Sequence, residues 1–305
     1  MHVIQRPHSA GERVVALGMF DGVHRGHRSL LLTAKNLADQ IRIPLRVCTF
    51  NRHPLEILRP GNHPELLSTI PEKAALMYGV GVDEMELLPF DRDTADMEPA
   101  AFLERLRCTL GVRAVVAGWN YTFGRRGSGN ADFLKADAEK HGYQVIIEPP
   151  AALDDGTVIS STLIRQMLKS GQTEKANELL GYPYTLAGTV TEGKRQGHSL
   201  GFPTANIEPW KRKAMPKYGV YTCLMETETD TMPAVANIGI QPTLPSGRVT
   251  VEAHALTESP DLYGQKVRLS LLHMLREEKR FESVRALKEQ IEKDRMEALK
   301  QFDMA

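Results

Sequence analysis

The sequence predicts two domains of different class, an α/β domain followed by an all-β domain with a terminal helix. Three observations support this. In the first half, strand-like apolar runs alternate with segments of helical period, which is typical of a mostly parallel sheet covered by helices. From residue 184 on, short strand-like runs separated by Gly and Pro favour a small antiparallel barrel or sandwich. The 305 residues, 42% of them hydrophobic, suffice for two buried cores.

The α/β half starts with the apolar run RVVALGMF at 13–20, which is typical of a buried strand. A helix is expected over 27–41, because four apolar residues recur there at helical spacing. These residues are Leu30, Ala34, Leu37 and Ile41. Further strand and helix pairs are expected at 44–50 with 71–82, 85–90 with 98–111, and 113–124 with 130–142, before a last strand at 143–150.

Residues 160–181 indicate two short helices, SSTLIRQMLKSG and QTEKANELLG, each ended by a glycine. Tyr182-Pro183-Tyr184 follows, and we place the domain boundary there, which gives domains of residues 1–182 and 183–305. Strands of the second domain are expected at 184–193, 204–210, 219–226, 232–239, 248–256 and 266–275. A terminal amphipathic helix is expected to pack on them. Its apolar residues are Phe281, Val284, Leu287, Ile291 and Leu299.

Composition limits the partners of the protein. Lys and Arg together number 38, as do Asp and Glu, so net charge favours neither nucleic acid nor a membrane as a partner. Cys48, Cys108 and Cys223 stand far apart, which supports neither a disulfide framework nor a zinc ribbon and fits a reducing compartment. No apolar run approaches the ~18 residues of a membrane span, and the first residues lack the core of a signal peptide. We therefore expect a cytoplasmic protein.

The segment ALGMFDGVHRGH at 16–27 is the first candidate site. Open α/β sheets bind ligands beyond the carboxyl ends of their strands, where this segment is expected. Gly22 and Gly26 allow a ligand close to the backbone, and the next helix directs free N–H groups at the same space. His24 and His27 share a face of the first helical turn and suit a phosphate that gains charge during transfer. Two surface histidines at a helix start are the alternative, and a zinc site lacks a third ligand nearby.

The segment ISSTLIRQML at 159–168 is the second candidate. Ser160, Ser161 and Thr162 lie at the start of an expected helix, and Arg165 follows within one turn. Hydroxyls at this place are ordinary helix N-caps. Together with a guanidinium they also form a clamp for the β- and γ-phosphates of a nucleotide, and the H-x-G-H spacing upstream favours the clamp.

Two further loops are expected at the same edge of the sheet. TFNRHP at 49–54 offers Asn51 and His53, and GWNYTFGRRGSG at 118–129 offers Asn120, Phe123 and two arginines. Aromatic rings beside basic, glycine-rich loops suit a flat ring with a phosphate tail. Core packing explains Phe123 almost equally well.

The second domain contains a loop that imitates a P-loop. GTVTEGKRQG at 188–197 includes G-x-x-x-x-G-K, but Arg195 stands where a P-loop has Ser or Thr for Mg²⁺, and no helix follows. A basic, glycine-rich loop between strands can still cover phosphates. Gly188 and Lys194 are therefore its candidate nucleotide-binding residues.

Two strand-like segments complete the candidates, LGFPTANI at 200–207 and RVTVEAHAL at 248–256. Thr204 and Asn206 are two residues apart and face the same way, and their neutral oxygens suit Mg²⁺ that already carries nucleotide phosphates. A polar barrel rim is the alternative. Glu252 lies on the polar face of the second, cleanly alternating segment, a pattern that a solvated face also explains.

The spacing H-x-G-H resembles the signature of the nucleotidylyltransferase superfamily, and the longer string GMFDGVHRGH resembles the bacterial FAD synthetase module. ISSTLIR matches the second element of that superfamily. The resemblance implies that His24 and His27 stabilise the charge that develops as the FMN phosphate attacks the α-phosphate of ATP. It implies nucleotide or phosphate binding by Gly18, Phe20, Asp21, Gly22, Ser160, Ser161, Thr162 and Arg165, and flavin binding by Asn120 and Phe123.

GFPTAN with a later V-E strand resembles the riboflavin kinase signature. In that family the Thr and Asn of P-T-A-N hold Mg-ATP, and the Glu is the general base on the ribityl 5′-hydroxyl. The resemblance implies these roles for Thr204, Asn206 and Glu252. LREEKRF at 275–281 is similar to the flavin-contacting segment of the family and implies a flavin-binding role for Arg276.

Together the modules resemble the bacterial bifunctional riboflavin kinase/FAD synthetase family over about residues 13–301. The implied fold is a Rossmann-like nucleotidylyltransferase domain with a parallel sheet, followed by a small antiparallel β-barrel with a terminal helix. The implied C-terminal reaction converts riboflavin and ATP to FMN and ADP. The implied N-terminal reaction converts FMN and ATP to FAD and pyrophosphate, and Mg²⁺ is the implied cofactor.

Two departures from the family pattern leave alternatives open. Asn51-Arg52 replaces the usual Asp and Pro of the family, and Gly197-His198 replaces the usual Gly-Arg. The chain could be a riboflavin kinase with a weakened synthetase domain, or a flavin-binding regulatory protein without turnover. The intact candidate residues argue against both. They are His24, His27, Thr204, Asn206 and Glu252.

Overall fold

The structure is a computed structural model that describes residues 2–4, 11–191, 204–240, 249–257 and 262–304. It divides into two compact units, Met1–Ser161 and Thr162–Ala305. Most of the segment 160–181 therefore groups with the second unit, whereas the sequence places it before the boundary at 182. How the two activities divide along the chain stays a prediction.

The first unit is the parallel α/β sheet that the alternating pattern predicts. Its strands are β1 His2–Ile4, β2 Arg13–Leu17, β3 Leu45–Phe50, β4 Glu84–Leu88, β5 Val112–Gly118 and β6 Gln144–Glu148. Its helices are α1 Arg25–Ile41, α2 Leu55–Leu58, α3 Ile70–Tyr78, α4 Arg92–Asp96, α5 Pro99–Leu110 and α6 Ala131–His141. In the described residues, the strand order is β1-β4-β3-β2-β5-β6, and all neighbours are parallel.

Helices cover both faces of this sheet, so strands β2 to β6 contribute to two cores. Val14 and Ala16 of β2 pack with Leu31 of α1 on one face. Val15 packs with Leu106 of α5 on the other. Because both faces are buried, β2 is a continuous apolar run rather than an alternating one.

The apolar face of α1 lies mostly where its spacing predicts. Leu30, Ala34 and Leu37 are buried. Ile41, which the spacing places on the same face, is instead 40% exposed. The helix ends there, and Arg42 turns the chain away with a φ of 56°.

The second unit is a closed barrel preceded by two short helices. The helices are α7 Ser161–Lys169 and α8 Thr173–Leu180. The strands are β7 Tyr184–Thr191, β8 Ala205–Pro209, β9 Gly219–Glu226, β10 Thr231–Ile240, β11 Val249–Ala255 and β12 Lys266–Glu277. In the described part of the chain they close in the order β10-β11-β8-β7-β12-β9, and every pair is antiparallel. Of the two architectures predicted, the barrel is confirmed.

The terminal helix α9, Val284–Gln301, packs on this barrel, as predicted. Its contact is made near its carboxyl end, where Ala298 and Leu299 pack with Leu256. The assignment of Val284 to the face of the helix that packs on the barrel is wrong, because this residue is 67% exposed at the first turn. Phe281 lies before the helix begins.

No helix in the described part of the chain is both long and apolar enough to span a bilayer.

Candidate functional site

The first candidate site lies at the carboxyl edge of the parallel sheet. β2 and β5 are neighbours there, and the chain order reverses between them, which is where open α/β sheets bind ligands. A cavity of about 410 Å³ lies at this edge, within the range of small-molecule sites. The structure brings five predicted residues together in its wall. They are Gly18, Phe20, His27, Asn120 and Phe123.

The loop that follows β2 contains two strained residues. Phe20 and Val23 have φ values of 49° and 36°, and both side chains are fully buried. A positive φ is uncommon for any residue with a side chain and an outlier for a β-branched one such as Val23. Such backbone persists only where the surroundings fix it, and it concentrates at ligand sites.

Asp21 is one of the groups that fix this loop. It is 3% exposed, and its carboxylate accepts hydrogen bonds from the backbone N–H groups of Leu67 and Ser68 at 3.0–3.1 Å. The N–H of Gly22 donates to Ser68 Oγ at 2.9 Å. Asp21 therefore ties the loop to the segment before α3, and its predicted nucleotide-binding role stays a prediction.

Ser161 connects the second predicted motif to the same loop. Its hydroxyl donates to the backbone carbonyl of Asp21 at 2.9 Å, across 140 positions of sequence. Ser161 is also the first residue of α7, so Ser160 precedes this helix and Arg165 lies one turn into it. The loop and the ISST segment thus meet at Ser161.

The two histidines form one stacked unit at the start of α1. His24 is the N-cap, and its Nδ1 accepts a hydrogen bond from the backbone N–H of His27 at 3.3 Å. In neutral His24 the proton is therefore on Nε2. The two rings stack with centroids 3.6 Å apart, and the ring of Phe20 meets His27 edge-on at 5.3 Å.

His27 is held in its neutral form. Burial lowers its pKa well below the usual value, and the nearby charges of His24 and Lys73 lower it further. Its Nδ1 is buried and has no hydrogen-bond partner within the described ranges. The stacked pair can therefore offer N–H groups to an anion without both rings becoming charged.

Lys73 of α3 is a buried cation that the sequence reasoning missed. It is 5% exposed, and its Nζ donates to the backbone carbonyl of Met19 at 2.7 Å and lies 3.5 Å from Thr49 Oγ1. Burial lowers the pKa of Lys73 to about 8, while the charge of Asp21 acts in the opposite direction. The spacing contained a signal, because Lys73 lies four residues before the buried Met77 and shares its helix face.

The other two predicted loops of this unit stabilise the sheet edge or line the cavity. Asn51 stabilises the edge, because its Oδ1 accepts a hydrogen bond from the N–H of Phe90 at 3.1 Å and so joins the ends of β3 and β4. Phe123 does both, because it lines the cavity and its ring packs 5.6 Å from that of Phe102. Arg126 is a further wall residue.

The second candidate site is a polar row on the barrel. In the register of the sheet, Asn206 of β8 lies directly opposite Glu252 of β11, and Glu252 lies directly opposite Asn237 of β10. Directly opposed residues have Cβ atoms about 5 Å apart and point to the same face. The structure therefore places the predicted base next to a predicted metal ligand. Asn237, which the sequence reasoning missed, flanks the base on its other side.

Other predicted residues of the barrel have different surroundings. Thr204 is half-buried directly before β8, and Lys194 lies outside the described residues. Gly188 is explained by packing, because a Cβ on this residue would lie 2.2 Å from the backbone oxygen of Glu208 on the neighbouring strand. Its nucleotide-binding role stays a prediction.

Arg276, at the end of β12, is bound by α9. Its guanidinium donates to both carboxylate oxygens of Asp294 at 2.8–3.0 Å and lies over the ring of Phe281. Asp294 is only 7% exposed, so this pair fixes the helix to the barrel. The flavin-binding role of Arg276 stays a prediction.

Glu278 is a second carboxylate near the polar row. A Cβ on Gly239 would lie 2.3 Å from the Oε1 atom of Glu278, so the carboxylate packs against the backbone of β10 at a position without a side chain. Gly239 shares a strand face with Asn237, about 7 Å along the strand. No periodic pattern predicts this contact, because Glu278 follows the end of β12.

Two family models match the chain. The model described as FAD synthetase matches residues 6–163, and the model described as riboflavin kinase matches residues 180–302. The first therefore spans strands β2 to β6 of the parallel sheet and Ser161, and the second spans the barrel and α9.

Curated relatives cover nearly the whole chain. The bifunctional riboflavin kinase/FMN adenylyltransferase of Listeria monocytogenes is 35% identical over 92% of this chain and 90% of its own. The enzyme of the same name from Escherichia coli K12 is 34% identical over 95% and 93%. Among solved structures, a Streptococcus pneumoniae protein described as a macrolide-efflux protein superposes with a TM-score of 0.89 at 31% identity, over 97% of this chain and 98% of its own.

Proposed function

The chain belongs to the family of bifunctional riboflavin kinases/FMN adenylyltransferases, and we propose on that premise which of its residues carry each reaction. The protein phosphorylates riboflavin to FMN and adenylylates FMN to FAD. We assign the adenylyltransferase to residues 1–182 and the kinase to residues 183–305. The order of the two matching family models supports this assignment.

In the kinase, Glu252 is the general base. It accepts the proton of the riboflavin 5′-hydroxyl as that oxygen attacks the γ-phosphate of ATP, which leaves FMN and ADP. The position of Asn206 directly opposite Glu252 supports this role, because it puts the Cβ atom of a residue with a neutral oxygen ligand about 5 Å from the Cβ atom of the base. Asn237 on the other side orients the carboxylate.

Thr204 and Asn206 would hold Mg²⁺ that carries the nucleotide phosphates. Their neutral hydroxyl and amide oxygens suit a hard cation that brings its own anionic ligands, so the residues fit the ion. When bound, the ion neutralises charge on the phosphates. The chain then has to orient the hydroxyl and receive its proton, which are the tasks of Glu252.

In the adenylyltransferase, the loop after β2 cradles the ATP phosphates. The FMN phosphate attacks the α-phosphate and pyrophosphate leaves. His24 and His27 donate N–H groups to the oxygens that gain charge, while Ser160, Thr162 and Arg165 hold the leaving phosphates. The cavity beside His27 takes the rings of the substrates, with Asn120 and Phe123 against the flavin.

The observation that supports these assignments best is the register pair Asn206–Glu252. The test uses purified protein with riboflavin, ATP and Mg²⁺, and chromatographic separation of riboflavin, FMN and FAD. The wild type is expected to form FMN and then FAD. Glu252→Gln is expected to abolish FMN formation and to keep conversion of supplied FMN to FAD, whereas His27→Ala is expected to do the reverse.

The matched control is Glu228→Gln, in the exposed turn between β9 and β10, which should change neither rate. Loss of both activities in Glu252→Gln would contradict the domain assignment. FMN without FAD in the wild type would favour a kinase with a weakened synthetase. Bound flavin without any product would favour the regulatory alternative.

We also propose the cytoplasm as the location of the enzyme, where ATP and a reducing environment are available. Cell fractionation with an antibody against the chain tests this, and recovery in the membrane fraction would overturn it.

A further inference from the structure

A positive charge buried beneath an anion-binding loop requires an explanation. Lys73 is 5% exposed, on a helix whose other buried residues, Ala74 and Met77, are apolar. Taking an ammonium out of water is expensive unless the group is compensated. A lysine that served packing alone would be replaced by methionine at lower energetic cost.

Lys73 contacts the loop after β2, in which Phe20 and Val23 have positive φ values. Its Nζ donates to the Met19 carbonyl at 2.7 Å, and Thr49 Oγ1 donates to the same carbonyl at 3.0 Å. Met19 directly precedes Phe20, the first residue of positive φ. The carbonyl of Met19 is thus fixed on one side of the loop, while the carbonyl of Asp21 is fixed on the other by Ser161.

The ammonium is also close to the cavity. Met19 and Thr49, its two hydrogen-bond partners in the described part of the chain, both line the cavity together with His27. A lysine has three N–H donors, so these partners leave one donor over. The ammonium therefore lies directly behind the cavity wall, beside the loop that is proposed to cradle the phosphates.

We infer that Lys73 is a positioning residue for adenylyl transfer, which fixes the strained loop through the Met19 carbonyl and supplies a buried positive charge behind the phosphate cradle. This inference rests on the proposed function of that site. Electrostatic groups that are fixed before the reaction stabilise developing charge without reorganisation. Lys73 acts through Met19 and through its field, and His24 and His27 remain the groups that touch the phosphates.

The test compares Lys73→Met with Lys35→Met in the full-length protein. Lys35 is the matched control, a lysine of α1 that pairs with Asp39 at 2.7 Å away from the cavity. Lys73→Met is expected to lower kcat for FAD synthesis from supplied FMN about 10–100-fold, with a smaller change in KM for FMN. FMN formation by the same chain measures the integrity of the barrel and should be unchanged in both variants.

Thr49→Val distinguishes the effect of the Lys73 charge from the effect of a hydrogen bond to the Met19 carbonyl. It removes a neutral donor to the same Met19 carbonyl, so it is expected to lower kcat less than Lys73→Met does. Equal losses in the two variants would overturn the part assigned to the charge and leave a hydrogen-bonding role alone.

The pH profile gives a readout that a packing role would not change. The ionisable groups that face Lys73 are Asp21 on the loop and His27 on α1. Since the pKa of Lys73 is about 8, wild-type FAD synthesis is expected to decline above pH 8 as the ammonium loses its proton. Lys73→Met should lack this decline.

Unaltered FAD synthesis in Lys73→Met, or an unchanged alkaline limb, would overturn the inference. If the wild type itself makes no FAD, the proposed function fails instead. If Lys73→Met also loses FMN formation, the effect is global, and the Thr49→Val variant together with the wild-type pH profile decides.

Discussion

The hydroxyl of Ser161 donates a hydrogen bond to the backbone carbonyl of Asp21 at 2.9 Å. Ser161 is the first residue of α7, and Asp21 lies in the loop between β2 and α1. This bond fixes the middle of a loop whose Phe20 and Val23 have positive φ values. The ISST segment therefore fixes the backbone of the loop, and both motifs are proposed to bind the same ligand.

Ser161→Ala is expected to lower FAD synthesis about 5–10-fold, because loss of a typical hydrogen bond is worth about 1 kcal/mol. FMN formation should stay at the wild-type rate. Steady-state assays with supplied FMN measure the first, and assays with riboflavin measure the second. Ser170→Ala is the control, since Ser170 is exposed directly after α7, and in the described residues its hydroxyl bonds only to the nearby Met167 and Gln172. Wild-type FAD synthesis in Ser161→Ala would show that the bond does not hold the loop.

The stability of the first unit is expected to fall as the pH drops below about 6.5, the ordinary pKa of histidine. The folded-state pKa of His27 lies well below that value, because burial and the charges of His24 and Lys73 disfavour its protonation. The unfolded chain therefore binds a proton that the folded chain does not, at up to ~1.4 kcal/mol per pH unit. This contribution is fully present above pH 6.5 and is lost on acidification.

Thermal melts from pH 7.5 to 5 measure this effect. His27→Gln should give a shallower decline than the wild type, and His63→Gln, in an exposed loop, should match the wild type. Identical slopes in the wild type and His27→Gln would contradict the burial of a neutral imidazole.

Arg46→Leu is expected to destabilise the first unit by about 3–5 kcal/mol. Arg46 and Glu86 are each 1% exposed, and Arg46 pairs with Glu84 at 2.6 Å and with Glu86 at 3.2 Å across β3 and β4. Removing the guanidinium leaves the Glu86 carboxylate buried with its main counter-charge gone. Urea unfolding, followed by fluorescence and fitted with a transition for each unit, measures the loss.

Two further variants check this explanation. The double variant Arg46→Leu/Glu86→Leu should recover most of the stability, because it removes both buried charges. Arg285→Leu, whose guanidinium is largely exposed beside Glu289, should change little. A double variant no more stable than Arg46→Leu would mean that packing, not charge, causes the loss.

Gly188→Ala is expected to destabilise the barrel by about 1–3 kcal/mol and to reduce FMN formation. The new Cβ would lie 2.2 Å from the Glu208 backbone oxygen, so β7 and β8 would have to separate close to Asn206. FAD synthesis from supplied FMN should be retained. Gly264→Ala is the control, because its φ of +75° strains the backbone but no atom lies within 4 Å of the added Cβ. Equal effects on FMN formation in the two variants would rule out the strand contact as the cause.

The alternating order of the first unit, the barrel strands and the segments proposed to form the phosphate cradle were predictable from the amino-acid sequence. These are local properties: period, glycine positions and contiguous motifs are read without knowing what lies across the fold. The same local reading was wrong for Ile41 and Val284, because the pattern cannot say where along a helix its packing partner ends.

Which distant groups meet follows from the folded chain and from no pattern in the sequence. Lys73 lies under Met19, Asn237 flanks Glu252, and Asp294 holds Arg276, and none of these pairs is adjacent in sequence. Strand register, helix placement and burial set these contacts, and burial also decides whether a lysine is a solvated charge or a fixed one. The residue types are given by the amino-acid sequence, whereas their electrostatic environment is a property of the folded chain.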